Sequence, residues 1–110
     1  MYNQREIVII PFPFTDLKNS KPRPAVIVSN QTVNQTSDVI VVQITSNLHT
    51  DIFSFPILDD NVSKKLILKS EVRCHKIFTI SEKLISKKIS ELDEDTFDRL
   101  LTKIKLLISK

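Results

Sequence analysis

The sequence predicts a mainly β protein: a small barrel of short strands with one C-terminal helix packed against it. Three observations carry that expectation. Short apolar runs rich in Val and Ile recur through most of the chain, which is strand composition. Clusters of Asn, Asp, Ser and Pro separate them, as turns require. Only the last segment shifts to helical spacing. Five or six short strands followed by one helix bury their apolar faces most simply as a sheet closing on itself beneath that helix.

Glu6–Phe12 is a continuous apolar run ending near a proline, so the first strand is expected to be buried on both faces. Pro13–Pro22 carries turn residues and prolines and reads as an exposed loop. Arg23–Ser29 resumes extended structure, because each proline biases the residue before it away from the helix. A polar linker, Asn30–Ser37, leads to a third strand at Asp38–Thr45. Ser46–Thr50 reads as a loop and Asp51–Leu58 as a fourth strand. Leu66–Leu68 suggests a short fifth strand and Cys74–Ile80 a sixth, while Lys87–Leu92 fits a strand or an irregular segment. Phe97, Leu100, Leu101, Ile104, Leu107 and Ile108 follow helical spacing. Asp93 suits the N-cap, acids occupy the first turn and lysines lie towards the end, which complements the helix dipole.

At 110 residues the chain is read as one domain, residues 1–110, large enough to bury a core without staples. Hydrophobic residues at 41% and charged residues at 26% are the balance of a folded protein, not a disordered one. Cys74 has no internal disulfide partner, which suits a reducing compartment. The first residues lack a signal-peptide layout, and no apolar run nears the ~18 residues of a membrane span. The expected location is the cytoplasm, with no membrane. Sixteen Lys and Arg against thirteen Asp and Glu give a net charge of +3, compatible with a polyanionic partner. Glycine is absent, so left-handed turns must fall to Asn, Asp or strained residues. Asn19, Asn30, Asn34, Asn47 and Asn61 all lie between apolar runs.

Without glycine there is no P-loop, dinucleotide fingerprint or nucleophile elbow. One Cys and two separated His fall short of a zinc site, so no metal or cofactor is expected. Asp59-Asp60 and Asp93–Asp95 sit where turns and caps use aspartate anyway.

The run Glu6-Ile-Val-Ile-Ile-Pro-Phe-Pro-Phe-Thr-Asp16, followed by Lys21-Pro-Arg-Pro-Ala-Val-Ile-Val-Ser29, resembles the opening of MazF/PemK-like toxins. Gln43-Ile-Thr-Ser-Asn47 is similar to the family's second signature, a strand ending at Thr-Ser. Lys69–Arg73 through Phe78–Ile80 resembles its later strand, and the terminal helix agrees. The likeness spans nearly the whole chain; the order and combination of the first two motifs make it specific. Arg5 stands where the family usually has glycine, and the first loop lacks the family's common glycine. These departures touch loop shape, and with it RNA preference, and neither falls on a position assigned to chemistry.

The resemblance implies a bent, SH3-like barrel of the MazF/CcdB type that forms a homodimer. It implies an endoribonuclease toxin of a type II toxin–antitoxin pair, acting on single-stranded RNA (mRNA) and neutralised by a cognate antitoxin. Cleavage by such enzymes uses the ribose 2′-OH as nucleophile, leaves a cyclic phosphate and a 5′-OH, and needs no metal. A CcdB-like gyrase-binding poison on the same fold is the rival, but its C-terminal tryptophan has no counterpart here. A non-catalytic RNA-binding homologue is the third reading.

Arg23, stiffened between two prolines, can hold two phosphate oxygens or merely solvate the strand start; the resemblance assigns it to catalysis. Thr45 can donate a hydroxyl to the same phosphate or serve only as a good strand residue; the Thr-Ser-Asn match assigns it likewise. Ser46 is its weaker neighbour. The general base is unassigned, since arginine is a poor one. His49, four residues after Thr45 in a predicted loop, is placed among the substrate-approaching residues, whereas His75 reads as structural. Lys18, Lys21 and Arg73 are candidates to track the RNA backbone by charge. Phe14, more than Phe12, is a candidate for stacking an unpaired base. Lys64-Lys65 and Lys87-Lys88 read as solvated surface.

Overall fold

A computed structural model describes residues 1–12 and 21–110 of the chain. Its elements are β1 (Glu6–Phe12), β2 (Lys21–Ile27), α1 (Gln31–Asn34), β3 (Asp38–Thr45), β4 (Ser54–Ile57), β5 (Ser70–Ser81), β6 (Lys87–Glu91) and α2 (Glu94–Ile108). The strands form one sheet in the order β4-β5-β3-β2-β1-β6. All pairings are antiparallel, and the sheet curls into a half-barrel. The mainly β fold with a terminal helix is therefore as the sequence predicts.

The continuous apolar run of β1 is explained by two cores, one on each face of the sheet. Ile7 joins Val26, Ile44, Val72, Phe97 and Leu100 on the side covered by α2. Val8 and Ile10 join Ala25, Ile27, Val41 and Ile85 on the other. Successive residues of a strand point to opposite faces, so a strand packed on both faces shows no polar alternation. The register of β3 with β5 shifts between Val42 and Ile44: Val42 faces Ile77, whereas Ile44 faces Val72. The extra residues bend β5, as bulges do. Its first part also pairs with β4, and its later part continues along β3.

Asp93 caps α2 as expected, its side chain accepting from Thr96 N at 2.7 Å. Phe97, Leu100 and Ile104 are buried, but Leu107 and Ile108 remain exposed, so the apolar stripe is covered only along its earlier turns.

Several boundaries differ from the sequence reading. β2 starts at Lys21, so the two residues before Arg23 pair with β1 and do not belong to the loop. The polar linker contains the single turn α1, because the Asn30 side chain accepts from Thr32 N and supplies an N-cap. β4 is shorter than Asp51–Leu58, since Asp51 turns back to bond Phe53 N and Ser54. β5 begins at Ser70, four residues before the expected Cys74. Leu66–Leu68 is not a strand. The preceding residues are fastened to the edge of β6 through a Val62–Leu92 bridge and Ser63 N to Glu91 O, and that pairing ends before Leu66.

The left-handed positions among the described residues are Arg5 (φ 80°), Ser37 (φ 78°) and Thr50 (φ 50°). Strained residues carry them, and asparagine does not. Asn34 and Asn61 use their side chains to bond Ser29 and Leu58 N, whereas Asn19 lies outside the described residues.

Candidate active site

Arg23 lies near the start of β2, opposite Ile10 of β1. Thr45 is the last residue of β3. The β2–β3 ladder pairs Ala25 with Gln43; continued two residues further, the same antiparallel register sets Arg23 across from Thr45. Both residues line one open cavity of about 310 Å³, together with Ser46, Ser70, Leu66, Ile67 and Leu68. The apolar triplet that resembled a strand is thus part of the cavity wall.

The chemistry available at this cavity is specific. Thr45 Oγ1 accepts the Asn47 amide at 3.0 Å, which turns the local backbone and leaves the hydroxyl proton free to be donated outward. The Arg23 side chain is exposed, and among the described residues no carboxylate pairs with it. No His, Asp or Glu lines the cavity among the described residues. A guanidinium and a hydroxyl offer donors to an anion, and the described lining supplies no competing negative charge.

Behind the site, β5 ties down the loop that follows Thr45. Glu71 is 2% exposed. Its Oε1 accepts the amides of His49 (3.1 Å) and Thr50 (3.4 Å), and its Oε2 accepts from Arg73 Nη1 (2.8 Å) and from Ser54 Oγ. Arg73 also grips Asp51 through two bonds, of 2.9 and 3.1 Å. Burial pushes the Glu71 carboxyl up, but the hydrogen bonds from Ser54, Arg73 and the two amides outweigh it and hold it below its ordinary value. The Arg73 hydrogen bond drives Asp51 far below the carboxylate range, and Asp51 in turn raises Arg73.

The predicted site residues are therefore distributed unevenly. Arg23, Thr45 and Ser46 come together. Lys21 is exposed two residues before Arg23 but does not line the cavity, and neither does His49, whose amide is held by Glu71. Phe14 and Lys18 lie outside the described residues. Arg73, expected to track RNA by charge, is buried, and its guanidinium is committed to Asp51 and Glu71. The sequence signal for that partnership was the Glu71-Val72-Arg73 spacing, which puts both side chains on one face of a strand. His75 rests against the Phe53 ring, centroids 4.0 Å apart. Although His75 is exposed, local desolvation, with Arg73 and Lys76 nearby, lowers its pKa and favours neutral imidazole. Gln43, buried two residues before Thr45, has an Oε1 without a hydrogen-bond partner among the described residues.

The fold and this cavity define a small, curled β-sheet domain with a guanidinium and a hydroxyl lining one open cavity at the β2–β3 strand ends. Residues 3–108 match the family model of the PemK-like, MazF-like toxins of type II toxin–antitoxin systems, and the chain belongs to that family. Solved structures agree in fold. An endoribonuclease in complex with its cognate antitoxin from a mycobacterial species superposes with a TM-score of 0.80 at 17% identity, covering 98% of this chain and 95% of that one. The Mycobacterium tuberculosis toxin MazF-mt6 gives 0.75 at 23% identity, over 94% and 96% of the two chains. A MazE–MazF structure from Deinococcus radiodurans gives 0.79 at 16% identity, over 97% and 95%. A comparison with curated proteins found no match.

Proposed function

We propose that this chain is an endoribonuclease toxin that cleaves single-stranded RNA without metal. The observation that supports it is the shared cavity: Arg23 and Thr45, from separate strands, line one opening that carries no carboxylate among the described residues. A phosphodiester seated there meets a guanidinium able to take two non-bridging oxygens and a hydroxyl able to donate a third bond. Both interactions strengthen as charge builds on those oxygens in the transition state. The ribose 2′-oxygen bonds to phosphorus as the bond to the 5′-oxygen breaks, giving a cyclic phosphate and a 5′-OH. The 2′-OH loses one proton and the leaving oxygen gains one. No carboxylate or histidine among the described residues lines the cavity, and water at its open mouth is assigned to both transfers. Ser46 and Lys21 are assigned to holding RNA beside the scissile group, as are Phe14, Lys18 and His49.

The same reading makes the chain a cytoplasmic homodimer opposed by a cognate antitoxin. One mycobacterial structure of this fold is an endoribonuclease in complex with its cognate antitoxin, and one from Deinococcus radiodurans is a MazE–MazF structure. No helix among the described residues is long and apolar enough to cross a membrane.

The deciding experiment incubates purified protein with a defined single-stranded transcript in EDTA and maps the ends. Discrete cuts bearing 5′-OH termini are expected. Arg23→Ala and Thr45→Ala, each verified as folded by circular dichroism, should lower kcat by about 10²–10³, the scale of losing one transition-state donor. RNA binding without cleavage would transfer the chain to the non-catalytic reading. Gyrase inhibition without RNA cleavage would transfer it to the poison reading.

A further inference from the structure

The Arg23–Thr45 cavity shares part of its lining with a second opening. Leu66, Ile67 and Ile89 line it and also line a second, larger groove of about 630 Å³ between the 63–67 segment and β6. Four lysines line that groove: Lys64 and Lys65 on one bank, Lys87 and Lys88 on the other. No carboxylate lines it among the described residues. The banks are built into the fold. Ser90, 2% exposed, donates to Lys64 O at 2.6 Å and accepts Lys64 N at 3.0 Å, which fastens the lysine pair of the loop to the lysine pair of the strand.

The lysines differ in how free they are. Lys88 is held by Glu6 and Glu91, each at 3.1 Å, and Lys65 makes an exposed pair with Asp59 at 3.3 Å. Lys64 and Lys87 are exposed, with no carboxylate partner among the described residues. Two like charges lining one groove repel, so without a counter-anion such an arrangement carries an electrostatic cost. A chain of phosphates removes it and releases bound counterions on doing so.

We propose that this groove binds the phosphodiester backbone of the RNA strand as it leaves the Arg23–Thr45 cavity, with Lys64 and Lys87 as its principal contacts. The inference rests on the nuclease reading, which places RNA in the adjoining cavity. The boundary of Leu66, Ile67 and Ile89 that the two openings share favours one polyanion passing from one to the other, and the fully exposed Ile67 there offers an apolar surface to a ribose or base face.

The test uses the full chain and RNA 2′-O-methylated throughout, which binds but cannot be cut. Affinities for a strand of about 16 nucleotides and one of about 4 are measured by fluorescence anisotropy over a salt series. In the Lys64→Ala/Lys87→Ala variant, the longer strand should bind several-fold more weakly at physiological salt, and the slope of log affinity against log salt should become shallower by about 1.4, two phosphate contacts on single-stranded nucleic acid. Binding of the short strand should not change. Equal weakening for both lengths, or an unchanged slope, overturns the groove even if the wild type cuts RNA. Conversely, a wild type that shows this length-dependent slope but cuts no unmodified RNA overturns the nuclease reading and leaves the groove standing.

Discussion

Thr50 is a β-branched residue at φ 50°, a region such side chains avoid. Its amide is one of the two that Glu71 accepts, so the carboxylate holds it in that conformation. Arg5 lies at φ 80°, a conformation that glycine adopts more readily. It is held by its amide to Ile27 O (2.8 Å) and its guanidinium to Leu92 O (2.9 Å). Ser37 differs from both. It is exposed, and its side chain makes no hydrogen bond among the described residues. Nothing would be lost from the folded state on replacing it with glycine. Ser37→Gly should therefore stabilise the protein by about 0.5–1 kcal/mol, the left-handed strain less glycine's greater unfolded entropy. The midpoint of thermal unfolding would rise by a few degrees, and an unchanged or lower midpoint would contradict the strain argument.

The loop from Ser46 to Phe53 joins β3 to β4 and begins at the site, and the Asp51–Arg73–Glu71 cluster sets its course. Removing one charge from a buried ion pair leaves the other uncompensated. Glu71→Gln keeps the shape and the amide acceptor but strips the charge opposing Arg73, although Asp51 still pairs with it. A loss of about 3 kcal/mol is expected, near the low end for broken buried pairs. Amide exchange should quicken first at His49 and Thr50, and KM for RNA should rise, because the loop next to Thr45 loosens. Exchange unchanged there while distant strands open would show that Glu71 supports the whole fold and has no particular hold on this loop.

For the molecule as a whole, the same carboxylates govern acid behaviour. Asp51 and Glu71 have folded-state pKa values below their ordinary 3.8 and 4.5, so the unfolded chain takes up their protons first as pH falls. Their stabilisation is complete above about pH 5 and drains away below it. His75, also lowered from 6.5, acts in the same direction beginning near that value; its exposure keeps the contribution small. Unfolding midpoints should decline gently from pH 7 to 5 and steeply below pH 4.5. Each kcal/mol lost corresponds to about 4–8 °C for a domain of this size. An Asp51→Asn/Glu71→Gln variant should be less stable at pH 7 yet show a flatter profile, and an equally steep profile would place the acid sensitivity elsewhere.

Local chemistry was legible in the sequence wherever a short stretch decides its own geometry. Proline spacing set Arg23 in extended chain, β-branched runs gave β1 and β3, and Asp93 with the spaced apolar residues gave α2. The resemblance carried by Pro22-Arg23-Pro24 and Thr45-Ser46 pointed to the two residues that the β2–β3 register then brings together. What no local pattern could decide was how segments meet. Leu66–Leu68 has strand composition but becomes a cavity wall, because its upstream neighbours dock on β6 and leave it no ladder partner. Arg73 reads as a basic surface residue until β4, β5 and the 46–53 loop close around it and neutralise it. Lys64 and Lys87 read as solvated surface until Ser90 fixes the two segments side by side. Composition and spacing determine what a segment can form; long-range pairing alone determines which charges are buried together and which line one open groove, since electrostatic energy depends on distance and burial in space, not on separation along the chain.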